Sequence, residues 1–166
     1  MGAGPPREAG PSGPPAGYRA GVGLMLIGPR QWIFIGRRTG AGAGWWQMPQ
    51  GGIDPGESPQ RAAWRELREE VGTDRAELLA ESARWYTYDV PVALRPPFWE
   101  GRWRGQAQKW FAFRFAGRDE DIDLGDDAAE FDAWRWASAD EVLRAAVDFK
   151  RPVYEAVLGE FRHLLA

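Results

Sequence analysis

Three glutamates, Glu66, Glu69 and Glu70, stand at i, i+3 and i+4 in the run Arg65-Glu66-Leu67-Arg68-Glu69-Glu70-Val71-Gly72. On a helix that spacing puts all three on one face. Like charges so placed disfavour a helix by about 0.2–0.5 kcal/mol per pair, and a bound cation reverses the penalty. The ligands on offer are all oxygens, which favours Mg²⁺ or Mn²⁺ over zinc or copper. A solvated acidic face balanced by Arg61, Arg65 and Arg68 would have the same spacing. The segment just upstream favours the metal. Gly51-Gly52-Ile53-Asp54-Pro55-Gly56-Glu57 is a glycine-rich loop running straight into the helix. Glycines permit close backbone approach, so a carbonyl of Gly51 or Gly52 can complete an ion's shell.

Composition narrows the other chemistries. The 166 residues include no Cys and one His, His163. Disulfides, thiolate metal sites and a cysteine nucleophile are excluded, and neither a histidine zinc site nor a serine–histidine pair has a basis. The formal net charge of -3 gives no global basic character, so any phosphate-binding surface is a local patch. Ten tryptophans are a supply of rings that stack on bases. No apolar run approaches the roughly 20 residues that span a bilayer, and the opening MGAGPPREAG lacks the apolar stretch of a secretory signal. A cytoplasmic protein without a membrane partner is expected, and nothing marks an obligate protein partner.

The elements that must position the glutamates can be read from period and punctuation. Residues 1 to 17, nearly all Gly, Pro and Ala, read as a disordered tail, and residues 18 to 166 as one domain. Gly21 to Ile27 and Gln31 to Arg37 read as strands joined by a turn at Gly28-Pro29-Arg30. Ser58 to Val71 reads as a helix, with Ser58 as N-cap, Pro59 in the first helical position and Gly72 past the end. Ala63, Leu67 and Val71 make its buried stripe. Leu78 to Asp89, Lys109 to Ala116 and Phe131 to Ala137 read as further strands, Ser138 to Ala146 and Pro152 to Leu165 as two late helices. The order predicts an α/β (α+β) chain, an α/β/α sandwich on a mixed sheet.

The stretch Gly51 to Gly72 resembles the Nudix box, G-x5-E-x7-R-E-U-x-E-E-x-G-U with U bulky and apolar. Gly51, Glu57, Arg65, Glu66, Leu67, Glu69, Glu70 and Gly72 match, and only Thr73, at a packing position, departs. The resemblance implies the Nudix fold, metals on Glu66, Glu69 and Glu70, and an Arg65–Glu57 lock between loop and helix.

The likeness extends to one branch of the family, the bacterial RNA pyrophosphohydrolases and their diadenosine tetraphosphate hydrolase relatives. Trp46-Gln47-Met48-Pro49-Gln50-Gly51-Gly52-Ile53 is similar to its W-Q-F-P-Q-G-G-I, and Gln106-Ala107-Gln108-Lys109-Trp110-Phe111 to its G-Q-K-Q-K-W-F. Glu130 to Trp136 resembles its E-F-D-x-W-R-W, and Val147 to Arg151 its V-x-F-K-R. Tyr18-Arg19 matches too, although Ala20 replaces the usual Pro, and the Gly40 to Gly44 loop is longer than usual. The resemblance to this branch implies a site for metal and substrate together. Two or three Mg²⁺ or Mn²⁺ ions sit on Glu66, Glu69, Glu70, Glu130 and the Gly51 carbonyl. Glu70 or Glu130 is the base, with Glu69 and Arg65 beside it. Arg19, Arg38, Lys109 and Lys150 face the polyphosphate with Gln108 near them, and Trp46, Tyr88 and Phe149 face a base. The expected reaction removes pyrophosphate from the 5′-triphosphate end of RNA; hydrolysis of a dinucleoside polyphosphate is the alternative. The basic, aromatic run Arg95 to Arg104 reads either as a remote contact for single-stranded RNA, beyond reach of a dinucleotide, or as an edge cover.

Overall fold

The computed structural model describes residues 13–40, 42–126 and 129–166. Most of the expected tail, residues 1–12, lies outside the described residues. The Gly17 carbonyl already accepts the Arg104 N–H at 2.9 Å.

Seven strands form one mixed sheet: β1 (Tyr18–Ile27), β2 (Ile33–Arg38), β3 (Trp46–Gln47), β4 (Gln50–Gly52), β5 (Ala76–Asp89), β6 (Gly105–Phe115) and β7 (Phe131–Ala137). β1 and β6 run parallel from Tyr18↔Gly105 to Ile27↔Arg114, and every other pairing is antiparallel. β1 and β2 meet only at Ile27↔Ile33. From there they diverge, and the opening is filled by β4 paired to β1 and β3 paired to β2. That opening brings the glycine-rich loop into the sheet.

Alternation along β1 sorts its side chains to two faces. Val22, Leu24 and Leu26 join Phe34, Phe111 and Phe113 under the helix α1 (Pro59–Glu66), where Ala62, Ala63, Leu67 and Val71 bury their stripe. Met25 and Ile27 join Ile33, Ile35 and Trp110 on the opposite face. There α2 (Ala139–Ala145) supplies Val142, and α3 (Arg151–Glu160) supplies Val153, Tyr154 and Val157. The result is an α/β/α sandwich.

α1 begins as its sequence dictates. Ser58 Oγ accepts the Arg61 N–H at 3.2 Å, and Pro follows the cap. The helix continues as a single wider π turn over Leu67–Val71 and stops at Gly72, φ 80°. A side chain at Gly72 would meet the Asp123 carbonyl oxygen at 1.9 Å, so both the backbone and the space there demand glycine.

Three expectations need adjustment. β6 starts at Gly105, four residues before Lys109, because Gln106 and Gln108 are buried strand residues whose polarity hides the strand. β3 and β4 are too short, and too interrupted by Pro49, to announce themselves. The last helix ends at Glu160, and Arg162–Leu164 forms a separate 3₁₀ turn. Among the described residues no helix is long and apolar enough to cross a membrane.

Candidate active site

Arg65 ties the glycine loop to the helix. Its Nε and Nη2 donate to the two Glu57 carboxylate oxygens, each at 2.8 Å, and Nη2 also donates to the Gly52 carbonyl at 2.8 Å. Glu57 in turn accepts the Asp54 N–H at 3.0 Å. The paired Arg65 guanidinium holds the Glu57 carboxyl down to about 2, since a charge-assisted bidentate pair favours the ionised form. The third guanidinium nitrogen, Nη1, reaches Glu66 Oε1 at 2.7 Å and Glu69 Oε2 at 3.2 Å.

The loop carries Gly51 against Glu66. A Cβ on Gly51 would lie 2.0 Å from the Glu66 carboxyl carbon, so only glycine lets that carboxylate and the Gly51 backbone share the space. Glu66 and Glu70 are buried, whereas Glu69 and Glu130 are exposed. Glu70 Oε2 accepts the Gln50 N–H at 3.0 Å. Burial pushes the Glu66 carboxyl up to about 7, with repulsion from Glu69 and Glu130 adding to it against the pull of Arg65. Burial raises Glu70 as well, with Glu66 and Glu130 adding repulsion. Four carboxylates therefore crowd one region, two of them desolvated.

Among the described residues no three acidic side chains converge as they would around an ion. Arg65 draws Glu66 and Glu69 to itself, and Gln50 holds Glu70. The donor set nevertheless fits a hard divalent cation: clustered carboxylates, all-oxygen, beside a backbone that glycine keeps open.

These carboxylates line one wall of a pocket of about 960 Å³. Arg19, Arg38 and Lys150 line it too, as do Trp45, Tyr88 and Phe149. Lys150 is 3 % exposed and donates from Nζ to Gln47 Oε1 at 2.7 Å. Burial, together with the Arg38 charge, pulls its ammonium down to about 7, and Glu70 and Glu130 oppose that. Arg38 Nη2 lies 3.6 Å from Glu130 Oε1, and the buried Arg38 Nε has no hydrogen-bond partner. The Tyr88 hydroxyl accepts from Gln50 Nε2 at 2.9 Å. Phe149 packs on Trp45 and Tyr88, ring centroids 5.9 Å away in each case.

Three expected contacts lie elsewhere. Trp46 is absent from the pocket wall. It is stacked under Arg135 and Arg37 at 5.2 and 5.9 Å and packs against the core beneath α2 and α3. Gln108 is 1 % exposed, and its Oε1 accepts the Trp110 indole N–H at 3.2 Å. Strand alternation turns Lys109 to the face of Ala107 and Phe111, away from Gln106 and the pocket.

Sequence reasoning missed Trp45, Gln50 and Gln106 as wall residues. Trp45 follows the lengthened glycine loop, and its neighbour Trp46 drew attention by the motif alone. The Arg95 to Arg104 run also departs from expectation. It is not remote: Arg95, Pro96, Pro97, Phe98 and Trp99 line the pocket itself. Its second half turns away, with Arg104 paired to Asp89 at 2.6 Å and Arg102 lying over the Trp103 ring at 4.6 Å.

The NUDIX domain family matches residues 17–157. An RNA pyrophosphohydrolase of Rhodospirillum rubrum is 56% identical over 143 residues, covering 86% of each chain. One of Rickettsia conorii is 51% identical over 148 residues, 89% of this chain and 92% of that one. Among solved structures, an Ap4A hydrolase of C. elegans superposes with a TM-score of 0.62 at 17% identity, over 86% of this chain and 98% of that one. A dihydroneopterin triphosphate pyrophosphohydrolase of E. coli superposes with a TM-score of 0.62 at 18% identity, over 84% and 95%. Those two structures bear on the fold.

Proposed function

This chain belongs to the NUDIX family of phosphoanhydride hydrolases, and from that premise we propose that it removes pyrophosphate from the 5′-triphosphate end of RNA in the cytoplasm. The observation that carries the reading is the pocket's polarity. Glu66, Glu69, Glu70 and Glu130 stand in one cavity with Arg19, Arg38 and Lys150, and an aromatic group of Trp45, Tyr88 and Phe149 joins them. A polyphosphate that brings divalent cations satisfies both sets of charge, and its base finds the rings. The names of the bacterial relatives, identical at half their positions or more, support RNA as the chain that bears the triphosphate.

Glu66, Glu69, Glu70 and Glu130, with the Gly51 carbonyl, would hold two or three Mg²⁺ or Mn²⁺ ions. When bound, such ions neutralise phosphate oxygens and make a bound water acidic enough to attack at neutral pH. The chain's own groups do the rest. Arg38 offers a buried N–H without a protein acceptor to a phosphate oxygen. Burial lowers the Lys150 ammonium to about 7, and an adjacent anion favours its charged form. Glu70 or Glu130 takes the proton of the attacking water on a carboxylate oxygen. Arg65 does not line the pocket; it positions Glu66 and Glu69 while Glu57 holds it in place.

Hydrolysis of a dinucleoside polyphosphate is the second reading. One observation favours it: Phe98 and Trp99 give the same pocket another aromatic wall, within reach of a compact substrate with two bases. Turnover of 5′-triphosphorylated RNA and of diadenosine tetraphosphate, side by side with Mg²⁺, tests the choice. A higher kcat/KM on RNA is expected; the reverse order would give the site to dinucleotides.

A further inference from the structure

The large hydrophobic side chains left exposed among the described residues, Val92, Leu94 and Phe98, all fall within seven residues of one loop, at 76, 43 and 59 % exposure. Leu94 and Phe98 are also pocket-lining residues. An apolar patch continuous with a site is a place for a ligand rather than ordinary surface.

The loop is built to present that patch. Pro91, Pro96 and Pro97 restrict its backbone, and two short 3₁₀ turns, Val92–Leu94 and Pro97–Trp99, are closed by main-chain bonds such as Trp99 N–H to Pro96 O at 3.0 Å. Trp99 anchors it at 2 % exposure, edge-on to Phe98 and Trp103 at 6.5 and 6.0 Å. Arg19 lies over the Phe98 ring, 5.4 Å from its centroid. Trp99 lines the pocket, and its indole N–H is buried without an acceptor. A buried donor without a partner is costly unless a ligand supplies one. A flat ring, an adjacent cation and an unused donor form a platform for a nucleobase, whose face stacks and whose edge or ribose accepts.

We propose that Phe98, with Arg19 and the Trp99 N–H, forms a second nucleobase subsite that takes a base of the RNA chain from the third nucleotide onward. The proposal rests on the RNA reading of the site. The patch extends out of the pocket through Leu94 to the open surface at Val92, which suits a chain that continues rather than a molecule that ends inside. Stacking tolerates any base, so the subsite contributes affinity for length, not for sequence.

The test compares 5′-triphosphorylated RNAs of two and six nucleotides, with diadenosine tetraphosphate as a third substrate, in wild type, Phe98→Ala and Phe98→Trp. In wild type KM is expected to fall about tenfold from the short to the long RNA, about 1.4 kcal/mol. Phe98→Ala should lose most of that gain and Phe98→Trp should keep it. Removing the base of one internal nucleotide should reproduce the loss in wild type and add nothing in Phe98→Ala. A length dependence identical in Phe98→Ala and wild type overturns the subsite. So does a loss equal on both RNAs. A loss confined to diadenosine tetraphosphate assigns the wall to a dinucleotide's second base and overturns the RNA assignment. If wild type releases no pyrophosphate from either RNA, the reading of the site falls, and the subsite with it. Phe98 is exposed, so a melting curve matching wild type shows that the variant folds.

Discussion

Glu70 sits where burial and charge conflict. Its carboxylate is desolvated, faces Glu66 and Glu130, and has one backbone N–H for company. Without a cation that charge destabilises the fold; with one it becomes a ligand or a base. Glu70→Gln keeps the acceptor for Gln50 and removes the charge. The expected result is a kcat about 10³-fold lower, roughly 4 kcal/mol at 1.4 per tenfold, with a metal-free melting temperature equal to wild type or higher. Activity within tenfold of wild type would remove Glu70 from the chemistry. Glu57 gives the opposite pH signature. Its folded-state pKa is about 2, below the ordinary 4.5. The stability it contributes is complete above 4.5 and is lost as pH falls from there toward 2. Melting temperature measured across that window should fall more steeply for wild type than for Glu57→Gln. Parallel curves would mean that the Arg65 lock adds nothing to the folded state.

At the level of elements, the loop-to-helix unit is held by two glycines with different duties. Gly51 has no room for a side chain because Glu66 approaches it, so Gly51→Ala should displace that carboxylate and reduce kcat/KM by roughly 100-fold, about 2.7 kcal/mol, with a small change in stability. Gly72 closes the helix in the left-handed region against Asp123. Gly72→Ala should cost at least about 1–2 kcal/mol of stability. It should spare the site's metal dependence, as melting and Mg²⁺ titration of both variants would show. This unit was almost wholly legible in the sequence, because caps, glycines and carboxylates act locally. Ser58, Pro59 and Gly72 mark the helix, and Glu57 and Arg65 meet eight residues apart. What was hidden depends on long-range pairing. Trp45 rather than Trp46 reaches the pocket because of how β3 registers on β2, and Lys109 faces away because β6 alternates from Gly105. The Leu94 to Trp99 segment reads as a loop, but nothing in its composition says that it folds back onto the pocket.

Across the whole molecule, the site lies where one sheet receives helices on both faces. β1 supplies Arg19, β2 Arg38, β4 Gln50 and Gly51, the α1 helix with its π turn supplies Glu66, Glu69 and Glu70, and the approach to β7 supplies Glu130. β5 supplies Tyr88, and the entry to α3 supplies Phe149 and Lys150. Cations that neutralise the carboxylates should therefore stabilise the entire fold. At 100 times Kd the gain is about 2.7 kcal/mol, or roughly 5–10 °C for a chain of this size. Identical melting curves in millimolar Mg²⁺ and in chelator would contradict a metal site formed by the folded chain. One product analysis decides the reaction: 5′-triphosphorylated RNA incubated with the protein, both phosphate-containing products resolved, with Mg²⁺, with chelator, and with Glu70→Gln. Pyrophosphate removal at this site requires 5′-monophosphate RNA and intact pyrophosphate in equal amounts, with Mg²⁺ and wild type only. Orthophosphate released one group at a time, or cleavage that survives chelator or Glu70→Gln, would contradict it.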